Sequence, residues 1–373
     1  MKKITIITMQ LKTPGGIERF VSTLADMFSS DFKVEIVANY GRPEEKLAFP
    51  LSEKVKTTFL TPTQPKEISM KKLITGFKWH KIPNELRRRQ KIDETREKAF
   101  KSFLKDLDTD YIITDRALYN HLVQKHYRGE AIKIATDHNF HQNKSQYIDE
   151  LMDSIEGFDY LVVATDELKD FYSTKTDVKC LKINNPLDTI PSKKSDLSSK
   201  NLISVGRFVP EKDFDTLIDV MKLVHEKDEN IHLTIIGDGV TYPRVKTKVE
   251  KLGLEAVVSL PGFLSQAEIK QHYYNSSLFV LTSKTEAFGL VLTEAMSYGL
   301  PCIAFDRASG ARAQITKHTG ILIEDADVEK MANRIIKLLK DHESLKTYQN
   351  FINQAIVNYD KKQIQKDWAK IVL

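Results

Sequence analysis

Ile4-Thr5-Ile6-Ile7-Thr8, then Thr13-Pro14-Gly15-Gly16, then Ile17, Phe20, Val21, Leu24, Ala25 and Phe28 form the stretch that decides the architecture. The first run is apolar and β-branched enough for a buried strand, the glycines mark a tight turn, and the spacing of the last group is helical. Strand, glycine turn and helix in that order open a doubly wound α/β domain. Working outward, Val34 to Ala38, Tyr111 to Thr114, Ile132 to Thr136 and Tyr160 to Val163 read as further strands with helices between them. From Leu187 to Lys200 the chain turns to Ser, Lys, Asp and Pro without apolar periodicity, which reads as an interdomain linker. Leu202 to Val205 then starts a second series: a helix with Phe214, Leu217, Ile218, Met221 and Val224, and strands at His232 to Ile236, Val257 to Leu260, Leu278 to Leu281 and Cys302 to Phe305. Helical stretches at Val328 to Lys340 and Leu345 to Val372 close the chain. The expected division is a domain over 1–187, a linker over 188–200, a second domain over 201–350 and a C-terminal helix over 351–373 that crosses back to the first domain.

The bulk composition agrees with two such domains. A chain of 373 residues exceeds one ordinary core, and 41% hydrophobic with 29% charged residues describes a globular protein. Cys180 and Cys302 form no CxxC pair, which suits a reducing cytosol, and no apolar run approaches membrane-spanning length. The apolar run near the start, Ile4 to Met9, is too short and too threonine-rich for a signal peptide. Charge is uneven. Between Lys66 and Lys105 stand 13 lysines and arginines against five acids, an excess larger than the net +5 of the whole chain.

Chemistry concentrates at two strand ends of the second domain. The first is Ser283-Lys284-Thr285-Glu286-Ala287-Phe288-Gly289-Leu290-Val291-Leu292-Thr293-Glu294-Ala295-Met296. Glu286 falls in the loop after a strand. Gly289 allows a sharp turn into a helix whose first amides are unpaired donors favouring an anion. Glu294 sits among apolar neighbours, where a carboxylate is costly unless hydrogen-bonded, as a sugar or ribose diol would do. Either glutamate alone reads as a cap or a partly exposed carboxylate; the pair at one strand–loop–helix junction does not. The second is Ser204-Val205-Gly206-Arg207-Phe208-Val209-Pro210-Glu211-Lys212, whose two cations at one strand end suit a diphosphate.

Glu286-x7-Glu294, within Ser-x-x-Glu-x-Phe-Gly and followed by Glu-Ala-Met-Ser-x-Gly-x-Pro, resembles glycosyltransferase family 4. The resemblance is strongest from Leu202 to about Pro301. It implies a GT-B fold, two Rossmann-like domains facing one another across a cleft, and retention of anomeric configuration. It further implies that Glu286 contacts the transferred sugar and Glu294 the ribose hydroxyls. Backbone amides near Phe288, Gly289 and Leu290 would face phosphate and sugar, and Arg207 and Lys212 would neutralise the leaving pyrophosphate. Asp213 stands where the family has a glycine. By the same resemblance Gly16 in the first turn faces the donor, and His138 in Thr136-Asp137-His138-Asn139 lies near the reacting sugar. Ile236-Gly237-Asp238-Gly239 and Pro261-Gly262-Phe263 resemble segments around the base, giving Gly237, Pro261 and Phe263 as base contacts, although turn chemistry explains them equally well. Phe305-Asp306-x-x-Ser309-Gly310 resembles a loop of branches that build bacterial surface polymers from UDP-hexoses. Asp108-Thr109-Asp110 imitates a metal-binding Asp-x-Asp but precedes a strand, so it reads as a turn. No metal or cofactor is expected, since Arg207 and Lys212 supply the charge a metal would bring.

The basic segment Lys66 to Lys105 interleaves cations with Leu73, Ile74, Phe77 and Trp79, which suits an anionic membrane surface; a solvated helix face fits nearly as well, and no nucleic-acid motif accompanies it. The expected protein is therefore a glycosyltransferase using a nucleotide sugar, UDP-linked, with a glycan or lipid-linked cell-envelope acceptor. It would lie in the cytoplasm or peripherally on the inner face of the membrane. A catalytically silent subunit of the same fold would be marked by loss of the motif Arg, Lys or Glu. A nucleotide-sugar epimerase would not need the two-glutamate arrangement.

Overall fold

The computed structural model describes residues 1–62, 79–139, 141 and 144–372. Its first sheet comprises β1 (Lys3–Thr8), β2 (Lys33–Tyr40), β3 (Lys56–Thr61), β4 (Tyr111–Thr114), β5 (Ile132–Asp137), β6 (Tyr160–Val163) and β7 (Lys179–Lys182), in the order β3-β2-β1-β4-β5-β6-β7. Every pairing is parallel. The crossovers run through α1 (Gly16–Phe28), α2 (Ile82–Lys105), α3 (Ala117–His126), α4 (Ser145–Ser154) and α5 (Asp166–Ser173). Interior strands such as β4 are buried along their whole length because helices cover both faces. Edge strands β3 and β7 are only half-buried, and their mixed sequences gave no apolar run to read.

The second sheet repeats the plan. It holds β8 (Asn201–Val205), β9 (His232–Ile236), β10 (Val258–Gly262), β11 (Leu278–Leu281), β12 (Cys302–Phe305) and β13 (Gly320–Ile323), in the order β10-β9-β8-β11-β12-β13, again parallel. Its helices are α6 (Phe214–His225), α7 (Tyr242–Lys251), α8 (Gln266–Tyr274), α9 (Leu290–Ser297), α10 (Ser309–Gln314), α11 (Val328–Lys340) and α12 (His342–Ala355). Two Rossmann-like domains so arranged are a GT-B fold, as the resemblance implies. In each sheet the order reverses beside the first strand, between β1 and β4 and between β8 and β11, and ligands of such sheets bind at that point.

The segment joining the domains is packed on the second one. Leu187 and Leu197 belong to the second core, Ser195 N donates to Tyr298 O, and buried Gln349 donates through Nε2 to Ser195 O and Gly299 O. The helical stretch from Leu345 to Val372 is divided, and the C-terminal helix starts later than the expected residue 351. α12 ends at Ala355, a single 3-10 turn spans Ile356–Tyr359, and α13 (Lys361–Val372) crosses to the first domain. There Ile364, Trp368, Ile371 and Val372 join the core formed by α1 and one face of the first sheet. Lys361 Nζ also donates to Asp26 Oδ2 at 2.7 Å.

Candidate active site

The loops at the two switch points face one another. A Cβ placed on Gly16, the first residue of α1, would lie 3.7 Å from Leu290 Cδ1, the first residue of α9 in the other domain. Three residues on, Arg19 reaches across: its Nη1 pairs with Glu294 Oε1 and its Nε lies 2.9 Å from Asp188 Oδ2. Thr23 Oγ1 donates to the other oxygen of Asp188. One turn of α1 thus touches the interdomain segment and the second domain at once.

On the second domain, Lys212 ends a 3-10 turn, Pro210–Lys212, and its Nζ donates to Glu286 Oε1. Both side chains are largely covered. The turn is stitched to the end of β11: Lys284 N donates to Glu211 O at 2.7 Å, and Thr282 Oγ1 donates to Asp213 O at 3.1 Å. Asp213 explains the missing glycine. It adopts the left-handed conformation, φ 52° and ψ 42°, which glycine takes freely and aspartate tolerates. Its carboxylate is turned to Arg307 Nη2 at 3.2 Å and Lys284 Nζ at 3.5 Å, so the local acid is compensated by cations other than Lys212.

The Glu286 loop is held from behind. Gly310 N donates to Glu286 O at 2.9 Å and Gln314 Nε2 donates to Phe288 O at 3.2 Å. A Cβ on Gly310 would stand 2.6 Å from the Phe288 carbonyl carbon, so only glycine lets α10 back so closely onto this loop. Gly289 takes φ 80° as the N-cap of α9, leaving the first-turn amides of α9 at the sheet edge. Glu294 is half-buried on α9, and besides Arg19 its Oε2 accepts from Tyr273 OH at 3.4 Å. Arg207 is exposed at the end of β8.

In the first domain the ring of His138 lies 4.3 Å from that of Phe20, and its Nε2 is 2.9 Å from Thr136 Oγ1. Burial, helped by the nearby Arg116 guanidinium, pushes its imidazole down to about 3. Asp115 runs the opposite way: burial raises its carboxyl to about 6 against the pull of Arg116 and Thr8. Glu18 is also raised by burial, partly offset by its own amide, Arg116 and Arg207.

These shifts have opposite signs in stability. A depressed His138 contributes stability above its unfolded value near 6.5 that is lost as pH falls toward 3, whereas Asp115, raised when folded, destabilises increasingly as pH rises through its range. The whole-protein profile mixes the two, so the informative quantity is a difference. Between pH 6.5 and 5 the unfolding free energy of wild type should fall by about 1.5 kcal/mol relative to His138→Gln. Urea titrations of both proteins at the two pH values measure it, and parallel profiles would contradict a neutral, buried imidazole.

The remaining predicted positions divide. Gly237 (φ 143°) is dictated by packing, since a Cβ there would sit 1.9 Å from Gly206 O. Pro261 lies within β10 and Phe263 directly after it, both exposed, with Phe263 65% accessible. Asp108-Thr109-Asp110 lies at the N-terminal ends of β1 and β4, away from the switch point, where Asp110 Oδ2 accepts from Lys3 N at 2.7 Å. Among the described residues no group of three or more His, Cys, Asp or Glu is arranged to hold a metal. Sequence reading passed over Glu18, Arg19, Asp115 and Arg116. A signal existed for the last two: Thr114-Asp115-Arg116 ends β4 as Thr136-Asp137-His138 ends β5.

The family model described as "Glycosyl transferases group 1" matches residues 188–357. The second domain is thus similar to the glycosyl transferases group 1. It is 24% identical over 390 residues to an uncharacterized glycosyltransferase of Haemophilus influenzae, covering all of both chains. Over 171 residues it is 29% identical to the amylovoran biosynthesis glycosyltransferase AmsD of Erwinia amylovora, covering 46% of this chain and 47% of that one. Some curated relatives are longer, and the chain spans 40% of one and 28% of another. Among solved structures, TarM superposes with a TM-score of 0.81 at 16% identity, covering 99% of this chain and 98% of TarM. HepE of Anabaena, solved with UDP and glucose, superposes with a TM-score of 0.71 at 18% identity, covering 100% of this chain and 99% of that one. At these identities the structures speak for the GT-B fold. The segment matched by the family model contains Arg207, Lys212, Glu286 and Glu294, while Gly16, Arg19 and His138 come from the other half of the chain.

Proposed function

We propose that the protein is a retaining glycosyltransferase that moves a hexose from a UDP-linked donor to a glycan acceptor of a cell-envelope polymer. The observation that carries this reading is the contact between Lys212 and Glu286, in the loop that leads into α9, whose first residue Leu290 lies against Gly16 of the first domain. A relative's name pointing to polysaccharide synthesis and a solved GT-B neighbour holding UDP and glucose support the substrate classes. Arg207 and Lys212 would receive the diphosphate, whose negative charge grows as the bond from the anomeric carbon to the phosphate oxygen breaks. Cations fixed before that moment favour the transition state over the ground state. Glu286 would hold the sugar hydroxyls and Glu294 the ribose. Phe263 and Pro261, with the backbone at Gly237, would flank the base. His138, kept neutral, would donate or accept a hydrogen bond at the sugar without adding a cation. Retention follows when the acceptor oxygen attacks from the leaving-group face; its proton departs with the nucleotide diphosphate. The donor exchanges with two protein–protein pairs, Lys212–Glu286 and Arg19–Glu294, so both carboxylates keep a partner throughout.

The test is nucleotide release from a panel of UDP-, GDP- and ADP-sugars, with and without simple glycan acceptors, and the anomeric configuration of the product by NMR. Acceptor-dependent UDP release with retention is expected. Interconversion of the sugar without release would replace this reading with an epimerase.

The basic segment adds a membrane reading. Its part up to residue 78 lies outside the described residues; the remainder includes α2, where Arg87, Arg88, Arg89 and Lys91 stand in one turn. No described helix is long and apolar enough to cross a membrane. Each cation near an anionic surface contributes about 1 kcal/mol. Co-sedimentation with vesicles rich in anionic lipid is expected, weakening with salt; sedimentation indifferent to lipid charge would remove the idea.

A further inference from the structure

Asp213 stands at the N-cap of α6, where an aspartate usually accepts from a first-turn amide, yet its side chain makes no such bond. The carboxylate is turned instead to Arg307, which follows β12. The guanidinium of Arg307 is largely covered and lies 4.8 Å from the centre of the Phe305 ring. Its Nη2 donates to Asp213 Oδ2 at 3.2 Å and to Thr282 O at 2.8 Å. Thr282 closes the ring, because its Oγ1 lies 3.2 Å from Lys212 O and 3.1 Å from Asp213 O. Arg307, Asp213 and Thr282 therefore hold one another around the carbonyl of Lys212.

This ring bears on Lys212 in two ways. The first is conformational. Asp213 joins the Pro210–Lys212 turn to α6, so its backbone sets where Lys212 is presented to Glu286. Its φ of 52° is disfavoured for a residue with a Cβ and persists only where the surroundings hold it. The second is electrostatic. Asp213 puts a negative charge beside a cation that must serve a phosphate. Arg307 neutralises that charge under cover, whereas Lys284, whose Nζ is 3.5 Å from the other carboxylate oxygen, is more than half exposed and contributes little. Without Arg307 the carboxylate would draw on Lys212 itself.

We propose that Arg307 is a positioning residue for the diphosphate step: acting through Asp213, it fixes Lys212 in place and keeps the lysine's charge for the donor. The Asp213–Arg307 pair supplies by ion pairing what a glycine at 213 would supply by conformational freedom alone. The proposal rests on the transferase reading above, in which Lys212 receives the diphosphate. The experiment measures UDP affinity by calorimetry and uridine affinity by ligand-observed NMR. In Arg307→Met the UDP Kd should rise at least fivefold while the uridine Kd, which involves no phosphate, moves less than twofold. In a Lys212→Met background the same substitution should change the UDP Kd less than twofold, because its effect passes through Lys212. Asp213→Gly combined with Arg307→Met removes both the stranded carboxylate and the need for a clamp, and should return UDP affinity to within threefold of wild type. Equal losses of UDP and uridine, a full further loss on top of Lys212→Met, or no recovery with glycine overturns the proposal. Should Arg307→Met fail to fold, Asp213→Ala decides: it keeps a Cβ in left-handed backbone without the carboxylate that Arg307 holds, so it should lose UDP and spare uridine by the same margins, and an unchanged UDP Kd overturns the proposal. Wild type that does not bind UDP, or Lys212→Met that binds it as tightly as wild type, overturns the diphosphate reading and this inference with it, before Arg307 is altered.

Discussion

Replacing Arg207 or Lys212 with alanine should lower kcat/KM by about 10²–10³-fold each, and replacing both by more than 10³-fold, the range found when one preorganised charge-stabilising group is removed. Both cations are placed by backbone before any donor arrives: Arg207 by the end of β8, Lys212 by the Pro210–Lys212 turn stitched to β11. Their loss therefore removes stabilisation of the departing diphosphate rather than deforming the domain. The two variants differ in a way that tests this. Arg207 is exposed, so Arg207→Ala should melt like wild type. Lys212 is the partner of a largely covered Glu286, so Lys212→Ala should in addition lose about 1–3 kcal/mol of stability. Initial rates of UDP release together with urea titrations measure both effects. Turnover within threefold of wild type in Arg207→Ala would contradict the assignment of the diphosphate site.

Trp368→Ala should cost about 3–5 kcal/mol of unfolding free energy, the usual range for truncating a buried aromatic. Trp368 is fully buried although it lies five residues from the end of the chain, and it meets Phe28 of α1 edge-to-face at 5.7 Å. α13 is connected through the 3-10 turn to the second domain yet fills the core of the first, so the loss should appear as early unfolding of the first domain. Fluorescence would lose the Trp368 signal itself, so far-ultraviolet circular dichroism in urea is the appropriate measurement. A shift below 1 kcal/mol would mean that α13 contributes little to the core it occupies.

Much of the architecture is local and was legible. β4, β6, β11 and β12 coincide with the apolar runs read from sequence because each is buried on both faces and so has little polar alternation to blur it. Edge strands β3, β7 and β13 escaped because partial exposure removes that pressure. The break between α12 and α13 escaped because amphipathic periodicity continues on both sides of it while the buried face changes partner, from the second core to the first.

The candidate site divides along the same line. Glu286, Glu294, Arg207 and Lys212 stand within two short motifs, so their types and spacing are determined by sequence alone, as is the family resemblance they carry. The tertiary structure alone decided that Arg19 meets Glu294, that Asp213 is left-handed while facing Arg307, and that Asp115 and Arg116 adjoin a cavity. The reason is physical. A motif reports what neighbouring backbone presents at one strand end, whereas these contacts join groups tens to hundreds of residues apart whose pairing depends on burial and on how two sheets turn their edges toward each other.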